Sequence, residues 1–330
     1  MSDVTTLPEV EVTAPRVSPA AQPRGAPRLS HKRIDVTFTK GGDGRFAESG
    51  TDTVKLSGLR ASAVVAKAGG VSMSSLQLRL WGLTLSKMND LSTLGLTVTT
   101  ERLVLNNTVI VEAGDDDAGM SVIFRGTVYD AWADFQGMPD VVFHVSANLG
   151  LYQAAKPVAS TGYRGAVDVA TLLSGMAGLA GWNFQNNGVT GKLADAYYPG
   201  TAWDQIQAVA ADANINVHVD DGAAPTLVIW PKGQARDGQV PLINRDTGMI
   251  GYPAYANNGI IVTTRFNPAI GFGQRVKVET DLASRNPSGE WIVTTLVHSL
   301  DAEVPRGRWE SRFEGVPTTL QTTQVRSSPS

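Results

Sequence analysis

The chain contains a long run, residues 236–312, in which no segment shows the periodicity of a helix, and this run limits the possible folds more than any other part of the sequence. Short pieces rich in apolar and β-branched residues alternate there with turn residues. The strand-like pieces are residues 259–266, 274–279, 290–300 and 308–313. The turn residues are Asn257, Asn258, Gly259, Asn267, Pro268, Gly271, Gly273, Asn286, Pro287, Ser288 and Gly289. Short strands at close spacing, separated by such turns, are typical of a small barrel or sandwich.

A second β-rich block begins at His31. Apolar and polar residues alternate in it with a period of two, which is the pattern of a half-buried strand. The alternating apolar residues are Ile34, Val36 and Phe38 and, further on, Leu76, Leu78 and Leu80. More strands are predicted at residues 102–105, 109–112, 121–130 and 141–147, and a short helix at residues 86–94. The block is therefore predicted to be an antiparallel meander of about seven strands.

The middle of the chain has helical patterns instead. Apolar residues recur at helical spacing across residues 166–180, namely Val167, Val169, Ala170, Leu172, Leu173, Met176 and Leu179. Thr201 followed by Asp204 resembles a capping box and predicts the start of a second helix, although that box prefers Glu or Gln at the last position. The predicted inner face of this helix contains Trp203, Ile206, Val209, Ala210 and Ala213. Asn214 is predicted to end it in a left-handed conformation.

A hairpin is predicted directly after this helix, with strands at residues 215–219 and 226–230 and a turn at Asp220, Asp221 and Gly222. The pieces then divide into five segments. Residues 1–30 contain five prolines and almost no large apolar side chain, so they are predicted to be a flexible arm. Residues 31–155 form the first β-domain, residues 156–235 a small α+β insert, residues 236–315 the second β-domain, and residues 316–330 a flexible polar tail. The predicted fold class is mainly β with a small α+β insert.

Composition excludes several kinds of chemistry. The 330 residues include no cysteine, which rules out disulfides and thiolate metal sites. A net charge of −3 gives no basic surface for nucleic acid and no polybasic patch for a membrane. The first residues lack the pattern of a signal peptide, and residues 166–182 are too short and too polar to span a bilayer. We therefore expect a soluble protein made in the cytoplasm that does not bind membranes.

No catalytic, cofactor-binding or metal-ligating residue is predicted, and no cofactor. The histidines, His31, His144, His218 and His298, have no partner at catalytic or metal-ligand spacing and are interpreted as surface or interface residues. No zinc-protease pair, nucleophile elbow or phosphate loop occurs. The tryptophans are interpreted as core or subunit-interface residues, and they are Trp81, Trp132, Trp182, Trp203, Trp230, Trp291 and Trp309.

Three short motifs have both a functional and a structural interpretation. Asp115, Asp116 and Asp117 could bind Ca²⁺, but adjacent carboxylates also occur at solvated loop tips, and the calcium-loop pattern is absent. Residues 41–44 are glycine-rich, yet they precede no helix and lack the lysine of a phosphate loop, which favours a hairpin or long loop. The glycines of residues 271–273 are interpreted as relieving a tight turn. Two small β-domains around an insert, without a catalytic constellation, favour a structural ring component over an enzyme.

The order of these pieces resembles the baseplate hub proteins of contractile-tailed bacteriophages, a family that includes the late control D proteins. Residues 76–89 are similar to its strand and short helix, and residues 109–134 to a strand, turn and strand that here include Ile123, Phe124, Gly126 and Val128. Residues 140–147 resemble the next strand. Residues 200–232 are similar to the helix and hairpin of the inserted domain, and residues 248–280 to the second β-domain.

The resemblance implies two tube-like antiparallel β-barrel domains flanking a helix–hairpin domain. It implies a homotrimer in which three chains present six similar barrels and join the sixfold tail tube to the threefold central spike. A heterologous ring of this kind closes with threefold symmetry. The expected partners are the tail spike protein, the tail tube protein, other baseplate proteins and, as a further candidate, the tape measure protein. Because the sequence ends soon after the second β-domain, the spike is expected to be a separate protein.

The implied location is the virion, in the tail baseplate, after assembly in the host bacterial cytoplasm. DNA is expected only in transit through the lumen, whose wall we expect to be neutral to acidic because basic walls would bind phosphates. Three alternatives remain at this point. They are another tail component such as a distal-tail or tube-initiator protein, a cell-wall or polysaccharide hydrolase with two carboxylates in a cleft, and a carbohydrate-binding tail component.

Overall fold

The computed structural model describes residues 30–69, 72–95, 106–155, 157–222, 224–256, 259–281 and 286–318. The predicted strand at residues 102–105, almost all of the predicted arm and most of the predicted tail lie outside these residues. Within them, the chain is mainly β and its strand pairs are mostly antiparallel. No helix in these ranges is both long enough and apolar enough to cross a membrane.

The elements of the first β-rich block are β1 (Lys32–Thr39), β2 (Thr53–Leu56), β3 (Ala61–Lys67), β4 (Ser75–Trp81), α1 (Leu85–Ser92), β5 (Thr108–Asp115), β6 (Gly119–Asp134), β7 (Val142–Asn148) and α2 (Leu151–Ala155). Every predicted strand that falls on described residues is present. The strands β2 and β3 escaped prediction. Alanine has a low preference for strands, so the alanine-rich sequence of β3 gives a weak signal, although Ala61, Ala63 and Val65 are all buried.

The elements of the middle block are β8 (Thr161–Gly162), β9 (Ala166–Asp168), α3 (Val169–Ala180), β10 (Asn183–Asn186), β11 (Lys192–Ala194), β12 (Tyr197–Tyr198), α4 (Ala202–Asp212), β13 (Ile215–Asp220) and β14 (Thr226–Pro231). The predicted hairpin is β13 and β14, paired antiparallel. The unpredicted strand β10 adds to β14 in parallel. The two longer helices, α3 and α4, pack on each other beside this small sheet.

The predicted ends of these helices are confirmed in all but one case. The Thr201 hydroxyl accepts the amide of Asp204 at 3.2 Å while the Asp204 carboxylate accepts the amide of Thr201 at 3.1 Å, so the capping box is complete. Asn214 follows α4 with a φ of 52°, as predicted. The start of α3 was predicted wrongly at residue 166. Residues Ala166–Asp168 pair with β11 instead, and the Asp168 side chain caps the helix by accepting the amide of Thr171.

The elements of the second β-rich block are β15 (Leu242–Ile243), β16 (Met249–Ala256), β17 (Gly259–Arg265), β18 (Arg275–Val278), β19 (Gly289–Ala302) and β20 (Trp309–Pro317). The four predicted strands are present, and no helix occurs among the described residues of this block. The strands β15 and β16 escaped prediction. A proline, Pro253, interrupts the pattern of β16, and such a residue is typical of an edge strand.

One sheet of thirteen strands joins the two β-rich blocks. Its main path is β16-β17-β20-β19-β3-β4-β7-β6-β5-β1-β2, with β18 and β15 attached to β19. The predicted meander is correct for β1 with β2, for β3 with β4 and for β5 to β7. It is wrong for the steps from β2 to β3 and from β4 to β5, because β4 lies beside β7 and β1 lies beside β5. The link between the blocks is the antiparallel pairing of β19 with β3, from Leu296 opposite Lys67 to Ala302 opposite Ala61.

The buried apolar residues form two clusters. The larger one is continuous through the first block and the middle block. The smaller one lies within the second block and contains Ile260, Val276 and Phe313. The long strand β19 contributes to both, since Leu296 lies in the smaller cluster and Leu300 in the larger one. The predicted boundaries at residues 155 and 235 stay a prediction.

Helix α3 provides a matched test of this core. Leu172 is 1% exposed, whereas Leu179, which was predicted on the same face, is 60% exposed. Replacing Leu172 by Ala removes buried methyl groups and leaves a cavity, so we expect the free energy of unfolding to fall by about 2–5 kcal/mol. Leu179→Ala should change it by less than about 0.5 kcal/mol. Urea unfolding followed by circular dichroism measures both, and equal losses would contradict the packing of α3.

Candidate functional site

The three blocks meet at a buried polar cluster, which we call the junction cluster. Its members are Lys67 at the end of β3, His218, Asp220 and Asp221 on the β13 hairpin, and Arg236 at the start of the second block. Lys67 forms an ion pair with Asp221. The guanidinium of Arg236 donates two hydrogen bonds to the Asp220 carboxylate, at 3.0 and 2.6 Å. His218 Nδ1 lies 2.7 Å from the carbonyl oxygen of Ala68, so this nitrogen donates.

Opposing electrostatic effects act on Asp220. Burial by itself raises the pKa of this carboxyl group, because the charged form loses hydration. The neighbouring His218 ring and the charge of Arg236 outweigh burial and hold the pKa of Asp220 well below its ordinary value. Asp220 is therefore ionised at neutral pH, and its pair with Arg236 connects the inserted hairpin to the second block.

A loop of the second block closes over the junction cluster. The Phe272 ring lies 4.9 Å from the His218 ring and 6.3 Å from the Trp230 ring, measured between centroids. A Cβ at Gly69, just after β3, would come within 2.2 Å of the Phe272 ring, so a larger residue there would displace that ring. Gly273 has a φ of +76° and lies against Trp230, which confirms that this glycine serves a tight turn.

Two histidines predicted at a surface or interface are buried within the chain, and the prediction is wrong for them. His218 and His298 are each 3% exposed. His298 lies on β19 opposite Val65 of β3, and its Nδ1 is 2.8 Å from the Ser311 hydroxyl. Burial and then the charge of Lys67 lower the pKa of His298 to about 3. The sequence did not reveal this, because burial of β19 depends on a distant pairing strand.

The other two histidines lie nearer to solvent. His31 is exposed, and its Nε2 lies 2.5 Å from Oε1 of Glu303. His144 stacks on Trp132 with 4.5 Å between ring centroids. Within the described ranges, no group of three or more His, Asp or Glu side chains could hold a metal ion.

The acidic and glycine-rich turns adopt local loop structures. Asp115 Oδ1 accepts the backbone amides of Asp117 and Ala118 at 2.9 and 2.6 Å, which closes the turn between β5 and β6. Asp116 and Asp117 are exposed at its tip. Residues 41–44 lie in the loop between β1 and β2 and precede a strand, as the hairpin interpretation predicts.

Several large apolar side chains are exposed, and two groups of them were not predicted from the sequence. One is β16, where Ile250, Tyr252 and Tyr255 are 45%, 66% and 53% exposed. This strand is at one end of the sheet path and is paired there with β17. The other is the tip of the β6–β7 hairpin, with Phe135 and Met138. An apolar edge strand is a template for association, so proteins usually cover it or place charges on it.

A groove of about 410 Å³ lies at the opposite end of the sheet, between β2, α1 and the loop that joins β1 to β2. We call it the β2 groove. Phe46 and Leu91 line it together with Lys87 and the carboxylates of Glu48 and Asp90. Both oxygens of Asp90 are engaged, because Oδ1 lies 3.3 Å from Lys40 Nζ and Oδ2 accepts the amide of Ala47 at 2.7 Å. These bonds favour a structural role for Asp90 over acid–base chemistry.

The family model described as "Baseplate hub gp41" matches residues 33–303. The chain belongs to this family. The expected resemblance to phage baseplate hubs is thereby confirmed, and the protein is a structural component of a phage tail baseplate. No curated protein matches the sequence of this hub protein.

Solved structures share the fold of this hub protein at low sequence identity. The 43 kDa tail protein of prophage MuSo2 from Shewanella oneidensis has 9% identity and a TM-score of 0.55, covering 86% of this chain and 98% of its own. The tail protein from Neisseria meningitidis MC58 has 10% identity and a TM-score of 0.54, and the match covers 86% of this chain and 96% of that protein. The E. coli c3393 protein has 11% identity and a TM-score of 0.55, and the match covers 82% of this chain and 76% of that protein. It is described as a component of the type VI secretion system with structural similarity to the T4 tail proteins gp27 and gp5.

The junction cluster predicts a large cost for removing Asp220. Asp220→Ala would leave the Arg236 guanidinium, which is 7% exposed, without its carboxylate partner. We expect the free energy of unfolding to fall by about 3 kcal/mol. This is the lower end of the losses measured when buried ion pairs are broken, because Asp220 itself is partly exposed. The exposed pair of Arg275 and Glu290 is the control, and Glu290→Ala should cost at most about 1 kcal/mol. Similar losses in the two variants would contradict a buried ion pair at the junction.

Burial of His298 predicts a pH dependence of stability. Its pKa is about 3 in the folded chain and about 6.5 when unfolded, so the unfolded chain binds the extra proton between these values. The stabilisation is complete above pH 6.5 and is lost as the pH falls, by about 2 kcal/mol at pH 5. His298→Asn keeps a hydrogen-bonding atom near Ser311 and should flatten this slope, whereas His144→Asn should not. Denaturant unfolding at several pH values tests the difference, and an unchanged slope in His298→Asn would refute it.

Proposed function

We propose that three copies of this hub protein form a ring that joins the sixfold tail tube to the threefold central spike. The observation that carries the proposal is the joining of two β-rich blocks of one chain in a single sheet through β19 and β3. Two blocks in each of three chains give six β-rich blocks around a threefold axis. Such an arrangement would match a sixfold partner on one side and a threefold partner on the other.

The two blocks are proposed to be tube-like β-barrel domains, with boundaries at residues 31–155 and 236–315 and the α+β insert between them. The separate apolar cluster of the second block supports this division, because a domain normally has a core of its own. The first block shares its core with the insert, so we propose that these two move as one unit.

Ring closure needs two different surfaces on each chain, because a threefold interface is heterologous. The edge of β16 is the first candidate, since β16 is the end strand of the sheet path among the described residues and Tyr252 on it is exposed. Burying such an edge against a neighbour removes the risk of uncontrolled pairing. Aromatic residues at the centre of an interface are also frequent contributors to binding energy.

The proposed role is structural rather than enzymatic. As a baseplate component the hub protein is located in the virion, and its proposed assembly takes place in the host cytoplasm. The proposed partners are the spike, the tail tube, other baseplate proteins and the tape measure protein. DNA is proposed to pass through a lumen with a neutral to acidic wall, which is compatible with the net charge of −3.

Light scattering of the purified protein tests the ring. We expect a mass of three times the 35.0 kDa of the chain, alone or after addition of the spike and tube proteins. Tyr252→Glu places a charge on the β16 edge and should lower the mass toward that of one chain, with at least about a tenfold weaker association. Tyr197, which is 67% exposed in the insert, is the matched control, and Tyr197→Glu should leave the mass unchanged. A single-chain mass in the presence of both partners would overturn the proposal.

A further inference from the structure

The end of the sheet opposite β16 has an open strand edge of its own. Strand β2 is the last strand of the sheet path, and among the described residues it pairs with β1 alone. The β2 groove runs beside this edge. An open edge next to a groove is the arrangement to which an extended peptide adds as a further strand, held by backbone hydrogen bonds.

The side chains of β2 set the pattern that an added strand would have to match. Leu56 is buried and Val54 half-buried on the inner side, while Thr53 and Lys55 are exposed on the outer side. A matching strand would place apolar residues beside Val54 and Leu56, above the lining residues of the groove. It would place polar residues on the side of Thr53 and Lys55, where Lys55 already pairs with Asp35 and Glu112.

The amino-terminal part of the chain, outside the described residues, contains a segment with this pattern. Residues 9–14 read Glu, Val, Glu, Val, Thr, Ala, so two valines alternate with two glutamates and a threonine. Pro8 and Pro15 flank the segment and no proline interrupts it. Proline is tolerated at the ends of an edge strand but not within its hydrogen-bonded part, and six residues are enough to cover the four of β2.

The connecting residues have a suitable length to reach the groove within one chain. About 17 residues separate the segment from the start of β1, which gives a root-mean-square length of roughly 21–25 Å for a flexible linker. The span along β1 from Lys32 to Thr39 is about 24 Å at 3.4 Å per residue. The effective concentration of a tethered ligand is highest when the two lengths match. The prolines of the linker extend it further, so the linker is long enough for the segment to reach β2.

We propose that residues 9–14 bind in the β2 groove of their own chain as an additional strand on β2. Val10 and Val12 face Val54 and Leu56, and the glutamates face the side of Lys55. The added strand covers the second open edge of the sheet and leaves the β16 edge for the neighbouring chain. This proposal does not depend on the ring, since the binding occurs within one chain.

Engineered disulfides test the proposal directly, because the natural chain has no cysteine and every crosslink must come from the introduced pair. Thr53→Cys is combined in turn with cysteine at position 9, 10, 11, 12 or 13. In the proposed register, position 9 lies opposite Thr53 if the added strand is parallel to β2, and position 13 does so if it is antiparallel. That one position should crosslink at least about fivefold more than positions 10 and 12, because side chains of a strand alternate between its faces and a disulfide needs directly opposed residues. Oxidised samples are compared on non-reducing gels as single-chain bands of altered mobility.

Two control pairs separate binding from random encounter. Ser18→Cys with Thr53→Cys samples the linker, and Glu11→Cys with Tyr255→Cys samples the other sheet edge. Both should crosslink at the low level of positions 10 and 12. Equal yields at all positions, or no crosslink at any of them, would overturn the proposed strand. Crosslinks that join two chains would overturn binding within one chain and show that the segment reaches a neighbour.

Hydrogen exchange of the full chain gives an independent test. The double change Val10→Asp and Val12→Asp should release the segment and speed exchange, by about tenfold, of those amides in residues 53–56 that point away from β1. Val17→Asp, in the linker, should leave these amides unchanged and is the matched control. Unchanged exchange in the double variant would contradict strand addition even if the crosslinks formed.

Discussion

The pairing of β19 with β3 is the interaction on which the rest of the architecture depends. It extends over seven residue pairs and merges the two β-rich blocks into one sheet. Strand β19 is long enough to serve both blocks, since its first half packs in the core of the second block and Leu300 and Ala302 pack in the core of the first. A continuous sheet of this kind suits the proposed ring, in which two blocks of one chain act as neighbouring repeats.

The junction cluster adds directional contacts to this sheet. Buried ion pairs contribute little net stability, because the loss of hydration offsets the attraction, but an unpaired charge is costly. Asp220 with Arg236 and Lys67 with Asp221 therefore favour one relative placement of hairpin, first block and second block over others. Gly69 permits Phe272 to close over the same region. Together these contacts hold the insert against the sheet.

Local features of the chain were predictable to different degrees. The alternation at Ile34, Val36 and Phe38 and the capping box at Thr201 depend on near neighbours, and both are present. The start of α3 was misplaced because Val167 fits a helical face as well as a strand, and only pairing with β11 decides between them. Strand β3 escaped prediction because alanine gives a weak strand signal. The exposed tyrosines of β16 and the burial of His218 and His298 escaped as well, since exposure depends on which strands lie alongside.

The sequence by itself determined the mainly β class, the position of most strands and helix ends, the absence of thiol chemistry and the resemblance to baseplate hubs. These depend on side-chain periodicity, turn residues and composition, which are local properties. Only the tertiary structure decided that β7 returns beside β4, that β19 pairs with β3, and which apolar residues stay exposed at the sheet edge. Strand pairing joins residues far apart in the chain through backbone hydrogen bonds, and every residue except proline carries the same backbone donor and acceptor. The packing of the whole core therefore decides which strands pair, and no single segment of the sequence specifies the partner strand.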